Sequence, residues 1–299
     1  MDWLILSLVA AFCTSMTTIL AKIGIKDVNS NFATLYRTFI VIICSIIICA
    51  IQNTFQATFS FTKENWIYLS FSGVATGLSW IFYYKAIKEG DVNKVAPIDK
   101  SSFILTSILF LIFFFDDTTK NGDPLTICML VLAMALMFVG TLLMITKKEE
   151  KKNIKSKKRL IYALLSAIFA SIVSLLIKLG LKGIPSSIGT LYRTIIVLVF
   201  ALIIVLIKKE YRGVKKISLK SLVFLTLSGI CTGGAWLCEY AALNIPSVNP
   251  IAVSAISKLA ILLTIIFSFF ILKEKLTKKG LIGLLILLLG IGIIIGFSL

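Results

Sequence analysis

A single acidic side chain lies among aromatic residues inside a long apolar segment. Glu239 follows Trp236 by three residues and precedes Tyr240, so a helix would place the three side chains on one face. Trp80 and Tyr84 repeat this spacing in an earlier apolar segment. Two such helices facing each other could hold an organic ammonium group through the carboxylate and cation–π attraction. The carboxylate could also carry a coupling proton, or pair with a buried lysine while the tryptophans only pack.

Two lysines lie several residues inside other apolar segments. Lys100 and Lys258 could bind a substrate carboxylate or phosphate, and either could form a charge pair with Glu239. The competing interpretation is that each side chain extends to the membrane surface, as long basic side chains near helix ends do. Both interpretations remain open from the sequence.

Four further basic residues lie near the ends of apolar segments: Lys22, Arg37, Lys178 and Arg193. One interpretation is anchoring at the membrane interface with contacts to helix-end carbonyl groups. The other is a ring of positive charge that attracts or gates an anionic group. The predicted topology puts Arg37 and Arg193 at opposite faces of the membrane, so we expect that they need not meet in one site.

The elements that carry these residues must be membrane helices. The chain is 58% hydrophobic and only 15% charged, with a mean hydropathy of +1.00, whereas a soluble domain carries about 25% charged residues. Its apolar residues come in runs of roughly 20, the length of a helix that crosses a bilayer. In lipid such segments must be helical to satisfy their backbone hydrogen bonds. The net charge of +17 lies mostly in short loops, so we expect no nucleic-acid partner.

The apolar runs predict an all-α membrane protein with ten transmembrane helices. The predicted spans are 3–25, 32–51, 65–87, 95–115, 125–146, 160–181, 187–207, 221–243, 250–272 and 280–298.

The two halves of the chain repeat each other. The pentapeptide TLYRT occurs at 34–38 and again at 190–194, an offset of 156 residues. At the same offset, SGVATGLSW at 72–80 matches SGICTGGAW at 228–236, and after a two-residue insertion Lys100 corresponds to Lys258. We therefore predict a duplication.

The predicted domains are a first five-helix repeat, a basic linker and a second five-helix repeat, at 1–146, 147–159 and 160–299. Because each repeat has an odd number of spans, the second must be inverted relative to the first. Inverted repeats are typical of secondary transporters, whose substrate site lies near the membrane midplane between the repeats.

Loop charges predict the orientation. Segment 147–159 has eight basic and two acidic residues, 208–220 has six and one, and 273–279 has four and one. Segment 116–123, on the opposite face, has three acidic residues and one basic residue. The positive-inside rule places the basic loops in the cytoplasm of a multi-pass cell-membrane protein, with both termini outside.

These features together resemble the drug/metabolite transporter superfamily, and within it the two-domain EamA-type permeases. The resemblance rests on the two five-span repeats, on Arg37 and Arg193 opening the second span of each half, and on an acid closing the fourth span of each half, Asp116 and Glu274. Here the first acid is followed by a second, Asp117, which departs from the usual single Glu.

The resemblance implies a basket of helices around a cavity lined by spans one, three, four, six, eight and nine. Carried onto this chain, the implied substrate-binding residues are Trp80, Tyr84, Lys100, Trp236, Glu239, Tyr240 and Lys258.

The expected function is secondary active transport of an amine-bearing or zwitterionic metabolite by alternating access, with Glu239 as the candidate for proton coupling. An anionic metabolite is the alternative, followed by an integral-membrane enzyme that modifies lipid. We expect no catalytic residue, metal or cofactor, and a monomer whose partners are the small-molecule substrate and the lipid bilayer.

Overall fold

The computed structural model describes residues 2–88, 95, 98, 102–119, 122–144, 154–210, 217–246, 248–273 and 277–298. The helices of the first repeat are α1 (Asp2–Gly24), α2 (Ser30–Ile51), α3 (Lys63–Lys88), α4 (Ser102–Phe113), α5 (Phe115–Thr119) and α6 (Pro124–Met144). Those of the second repeat are α7 (Ile154–Gly180), α8 (Ser186–Ile207), α9 (Leu219–Asn244), α10 (Pro250–Ser257), α11 (Ala260–Phe267) and α12 (Lys278–Ser298). A 3₁₀ helix, Phe55–Ser60, lies between α2 and α3, and a π-helical turn, Ser268–Leu272, follows α11.

Eight segments of the described chain are long and apolar enough to cross a membrane. The 26-residue helix α3 is long enough but is not among them, since small and polar residues lower its hydropathy. The described part of the fourth predicted span, α4, has only 12 residues. The all-helical architecture is thus confirmed for the described residues, while the count of ten spans stays a prediction.

Several helices begin at residues whose side chains satisfy the free backbone N–H groups of the first turn. The Asn29 side chain accepts a hydrogen bond from the Asn31 N–H at the start of α2, at 3.0 Å. Asn249 does the same for the Ile251 N–H in α10, at 2.9 Å, and Pro250 follows it at the first helical position. The helix α7 begins at Ile154, inside the basic segment predicted as a linker.

The two repeats are interleaved. The most extensive helix pairings join α1 to α9, α3 to α7, α6 to α12 and α2 to α8, and each pair takes one helix from each repeat. Two further pairings, α2 with α9 and α3 with α8, also cross between repeats. Each repeat therefore buries its apolar surface mainly against the other, and the two halves do not form separate bodies.

The ninth predicted span, 250–272, tightens locally near its middle. A turn at 258–259 separates α10 from α11, and the Lys258 N–H bonds the Ala255 carbonyl at 3.0 Å. The sequence predicted one continuous helix here.

Candidate substrate-binding cavity

A cavity of about 190 Å³ lies between helices of both repeats. Side chains from α1, α3 and α4 of the first repeat line it together with side chains from α7 and α9 of the second, and Arg37 on α2 and Arg193 on α8 also reach it. Because the cavity lies between the repeats, both copies of the duplicated sequence contribute to one site.

Five of the seven predicted binding residues line this cavity: Trp80, Trp236, Glu239, Tyr240 and Lys258. Lys100 and the side chain of Tyr84 lie outside the described residues. The structure thus brings together the residues that sequence reasoning grouped, whereas their role in binding substrate stays a prediction.

Arg37 and Arg193 meet at this cavity, which corrects the expectation that they need not share a site. Their side chains are 1% and 0% exposed. Nη2 of Arg37 donates to Oγ1 of Thr232 at 2.6 Å, and Nη2 of Arg193 donates to Oγ1 of Thr76. These two contacts are related by the 156-residue offset, so each repeat supplies the acceptor for the arginine of the other. A buried guanidinium needs such partners, and here the interleaved packing provides the threonine hydroxyls.

The guanidinium groups also lie over the tryptophan rings. Cζ of Arg37 is 5.2 Å from the centre of the Trp80 ring, and Cζ of Arg193 is 4.4 Å from that of Trp236. The two tryptophan rings contact each other, with centroids 5.0 Å apart. Cζ of Arg193 is also 5.1 Å from the centre of the Tyr240 ring. The aromatic group predicted to receive a substrate ammonium thus already holds two cations of the protein itself.

Glu239 marks the point where the charges of the two repeats differ. It is partly buried and lines the cavity, and so does Tyr83, its counterpart at the 156-residue offset. Glu239 lies within electrostatic range of Arg193, as does its neighbour Tyr240. A carboxylate here can pair with a substrate cation or partly balance the neighbouring guanidinium.

Lys258 lies at the tightened turn between α10 and α11 and lines the cavity. The sequence predicted it several residues inside the ninth span, and the structure adds that the helix tightens at this residue. The residues around it, ISKLA at 256–260, contain neither Pro nor Gly, the usual signals of a helix break.

Lys22 and Lys178 are not among the residues that line the cavity. Nζ of Lys22 donates to the Ile87 carbonyl at 3.4 Å, and Nζ of Lys178 donates to the Leu243 carbonyl at 2.8 Å. These counterpart contacts join the end of the first helix of each repeat to the end of the third. They are the helix-end contacts expected of structural lysines, and a gating role stays a prediction.

The sequence match to known proteins covers both repeats. A model of the EamA-like transporter family matches residues 1–139 and 157–296.

The chain belongs to the EamA-like transporter family.

The family confirms the resemblance drawn from the sequence, and with the apolar helices it makes this chain a multi-pass membrane protein. A curated relative, "Uncharacterized transporter in cobO 3'region" from Sinorhizobium sp, is 34% identical over 143 residues. The match covers 48% of this chain and 96% of that relative. A solved structure, described only as a crystal structure of a protein, covers 99% of this chain and 98% of its own, with a TM-score of 0.68. At 11% identity this second likeness shows the fold alone.

The EamA cavity also contains polar residues that sequence reasoning missed. Thr14, Thr17 and Thr18 line it from α1, and Ser79 lines it from α3. The hydroxyl groups of Thr17 and Thr232 are 3.2 Å apart, which links α1 to α9. The spacing of the three threonines, i, i+3 and i+4 within an apolar helix, was the signal available in the sequence.

Proposed function

We propose that this EamA-family protein is a secondary transporter of a small zwitterionic metabolite, with ten spans and alternating access to a central site. The observation that carries the proposal is the charge arrangement of the cavity. Among the described lining residues, one carboxylate, Glu239, is present with three cations, Arg37, Arg193 and Lys258.

A zwitterion matches both signs of charge. The substrate ammonium pairs with Glu239. The tryptophan rings are less suited to bind it, since the guanidinium groups of Arg37 and Arg193 already stack over them. The substrate carboxylate pairs with Lys258 and Arg193, whose buried Nη1 has no hydrogen-bond partner among the described residues. Bidentate arginine–carboxylate contacts are strong and directional, so they would fix the orientation of the substrate.

The size of the cavity supports a small substrate. Its volume of about 190 Å³ is below the roughly 300–1,000 Å³ typical of sites for drug-sized ligands. Both repeats of one chain contribute to the cavity, which is compatible with a transporter that acts as a monomer.

The interleaved packing bears on how access alternates. Because α1 pairs with α9 and α3 with α7, the moving units each contain helices of both repeats rather than one sequence half each. Loop charges favour an orientation with both termini outside. A C-terminal reporter that is active only in the cytoplasm should be silent, and an active reporter would reverse this orientation.

Transport and the role of Glu239 are tested together in proteoliposomes. A thermal-shift screen against amino acids, amines, sugars and phosphates selects ligands, and counterflow of the best ligand then measures transport. Glu239→Gln should weaken the apparent affinity for a zwitterion about tenfold or more, the loss of roughly one charged contact. Tyr83→Phe, at the counterpart position, is the control and should change it little. If Glu239→Gln leaves the apparent affinity unchanged, Glu239 does not bind the substrate. If it also leaves the dependence of uptake on a pH gradient unchanged, Glu239 does not couple transport to protons.

An anionic metabolite is the second candidate, favoured by the excess of cations over carboxylates among the described lining residues. In that case the thermal-shift screen should select phosphates or dicarboxylates. Glu239→Gln should then tighten binding, because it removes the only negative charge that these residues present to the ligand.

A further inference from the structure

Two closely packed helix pairs line the cavity. One pair is α1 with α9, and the other is α3 with α7. The rings of Trp80 on α3 and Trp236 on α9 contact each other between the pairs. Two lysine side chains also cross from one pair to the other, and both do so at the ends of helices.

The two lysine contacts are counterparts of each other. Nζ of Lys22, on α1, donates to the Ile87 carbonyl at the end of α3, at 3.4 Å. Nζ of Lys178, on α7, donates to the Leu243 carbonyl at the end of α9, at 2.8 Å. Each contact therefore joins the α1–α9 pair to the α3–α7 pair, and the 156-residue offset relates both the donors and the acceptors.

The two contacts lie at opposite ends of the cavity. α1 and α9 are antiparallel, because the end of α1 packs against the start of α9, with Gly24 beside Leu225. Lys22 is thus at the Leu225 end of α9. Leu243, which Lys178 contacts, lies roughly 27 Å further along α9, since each helical residue adds about 1.5 Å. Separating the pairs at one end breaks one lysine contact and leaves the other in place.

Lys178 has a second acceptor within reach. The centre of the Phe114 ring is 5.8 Å from Nζ of Lys178. Asp117 follows Phe114 by three residues and lies within electrostatic range of the same lysine. Asp117 is on α5, outside both helix pairs. The ammonium group can therefore exchange the Leu243 carbonyl for this carboxylate, and it does not have to stay unpaired beside the apolar interior.

We propose that Lys22 and Lys178 are latches, each of which keeps one end of the cavity closed until its contact with the other helix pair breaks. The proposal rests on the proposed alternating access to a central site. When the Lys178 end opens, its ammonium group moves from the Leu243 carbonyl to Asp117. The Lys22 contact then keeps the opposite end closed, so that the site is open to one side at a time.

The reactivity of single cysteines tests the latches without a substrate. Thr18 and Ser174 are counterparts that line the cavity, one helical turn before Lys22 and Lys178. Each is replaced by cysteine in a background without the six native cysteines. A small membrane-impermeant thiol reagent is then added to intact cells or to inside-out membrane vesicles, which gives the rate of modification from each side of the membrane.

Lys178→Met should raise the rate at Ser174→Cys from the Lys178 side about tenfold, because the closed form loses a hydrogen bond from a charged donor. Lys22→Met should do the same for Thr18→Cys from the opposite side. Lys178→Arg keeps a donor, so its rate should lie closer to that of the wild-type lysine than to that of Lys178→Met.

Matched controls exist at both ends. Lys26 and Lys182 are counterpart lysines just beyond the ends of α1 and α7, and both are exposed. Lys26→Met and Lys182→Met remove the same charge and should change the rates by less than about twofold, as surface substitutions do.

Asp117→Asn tests the second acceptor. It should lower the rate at Ser174→Cys from the Lys178 side, because the open form loses the carboxylate that receives the ammonium group. Asp116→Asn removes the neighbouring exposed carboxylate and should leave this rate unchanged. Equal effects of the two substitutions would eliminate Asp117 as the acceptor of Lys178.

The outcomes separate the latches from the proposed function. Rates that neither Lys22→Met nor Lys178→Met changes overturn the latches, and so does a rise from both sides in either variant, which would indicate general loosening. Changes confined to the expected side support the latches. If they occur in a protein that shows no counterflow of any ligand from the thermal-shift screen, the proposed transport fails while the latches stand.

Discussion

Arg37 and Arg193 are the largest fully buried side chains of the described protein. A charge in the apolar interior of a membrane protein is retained only where partners compensate its desolvation. Here the partners are a threonine hydroxyl from the opposite repeat and a tryptophan ring from the arginine's own repeat. The arginines therefore join α2 to α9 and α8 to α3.

At the residue scale, we predict that Thr76→Val destabilises the protein by about 1–3 kcal/mol, the range for leaving a buried donor without its acceptor. The hydroxyl of Thr76 accepts from Arg193, and no other described side chain accepts from that Nη2. Thr232→Val should act in the same direction through Arg37. The melting temperature of purified protein in detergent is the measurement.

Thr38→Val is the control for both variants. Thr38 is also buried, but its hydroxyl donates only to the Thr34 carbonyl of its own helix, at 2.8 Å. Its replacement should lower the melting temperature much less. An equal loss in all three variants would mean that pairing with arginine does not explain the effect of Thr76→Val.

The sequence showed that these arginines lie inside apolar segments, but it did not predict which side chains surround them. Because both arginines lie close to a helix end, the sequence favoured side chains that extend to the membrane interface. A single helix offers no hydrogen-bond acceptor for a guanidinium group inside the membrane. The acceptors of Arg37 and Arg193 lie 195 and 117 positions away. The matching offsets of the arginines and threonines were visible, whereas which repeat each arginine contacts depends on tertiary packing.

At the scale of elements, glycines set how closely paired helices approach. A Cβ atom on Gly140 of α6 would lie 2.5 Å from the Gly283 carbonyl oxygen of α12 and 2.7 Å from the Leu287 nitrogen. A Cβ on Gly283 would lie 2.5 Å from the Gly140 carbonyl oxygen. The two backbones thus touch at this crossing, as small residues allow in membrane helix pairs.

We predict that Gly140→Ala lowers stability by about 1–3 kcal/mol, because the helices must move apart to admit a methyl group. Gly292→Ala is the control in α12, where a Cβ would meet no atom within 4 Å. That substitution should be neutral or stabilising by at most about 1 kcal/mol, since alanine favours helix more than glycine does. Loss of folded protein on heating, followed by size-exclusion chromatography, compares the two. Equal melting of both variants would exclude a close backbone contact at Gly140.

The helix positions follow well from the apolar runs, with most boundaries within three residues of those observed. The tightened turn at Lys258 does not, because hydropathy averages over it. Likewise the repeat predicts that the halves are alike but not that they interleave. Which helix faces which is decided by side-chain fit between distant segments, such as Leu225 against Gly24 and Leu69 against Gly180.

At the scale of the whole molecule, α2 and α8 form a pair that is tied at both ends. Nδ2 of Asn31, at the start of α2, donates to Oε1 of Glu210, just after α8, at 2.9 Å. The counterpart contact joins the hydroxyls of Thr54 and Ser187 at 3.0 Å, just after α2 and at the start of α8. Because one helix comes from each repeat, this pair connects the two sides of the cavity.

We predict that α2 and α8 stay together while the α1–α9 pair and the α3–α7 pair move relative to each other. Oxidation of a Thr54→Cys/Ser187→Cys pair, in a background without the six native cysteines, should leave counterflow at more than about half of the reduced level. A short thiol cross-linker across Asn31→Cys/Glu210→Cys should do the same at the opposite end. Alternating access exposes the site to each side of the membrane in turn. If α2 and α8 had to separate at one end to open the site, a cross-link at that end would stop transport. A counterflow rate that falls when either end is cross-linked, and that recovers when the Thr54→Cys/Ser187→Cys disulfide is reduced, would contradict this prediction. It would mean that α2 and α8 separate during transport and that the contacts at their ends act as gates.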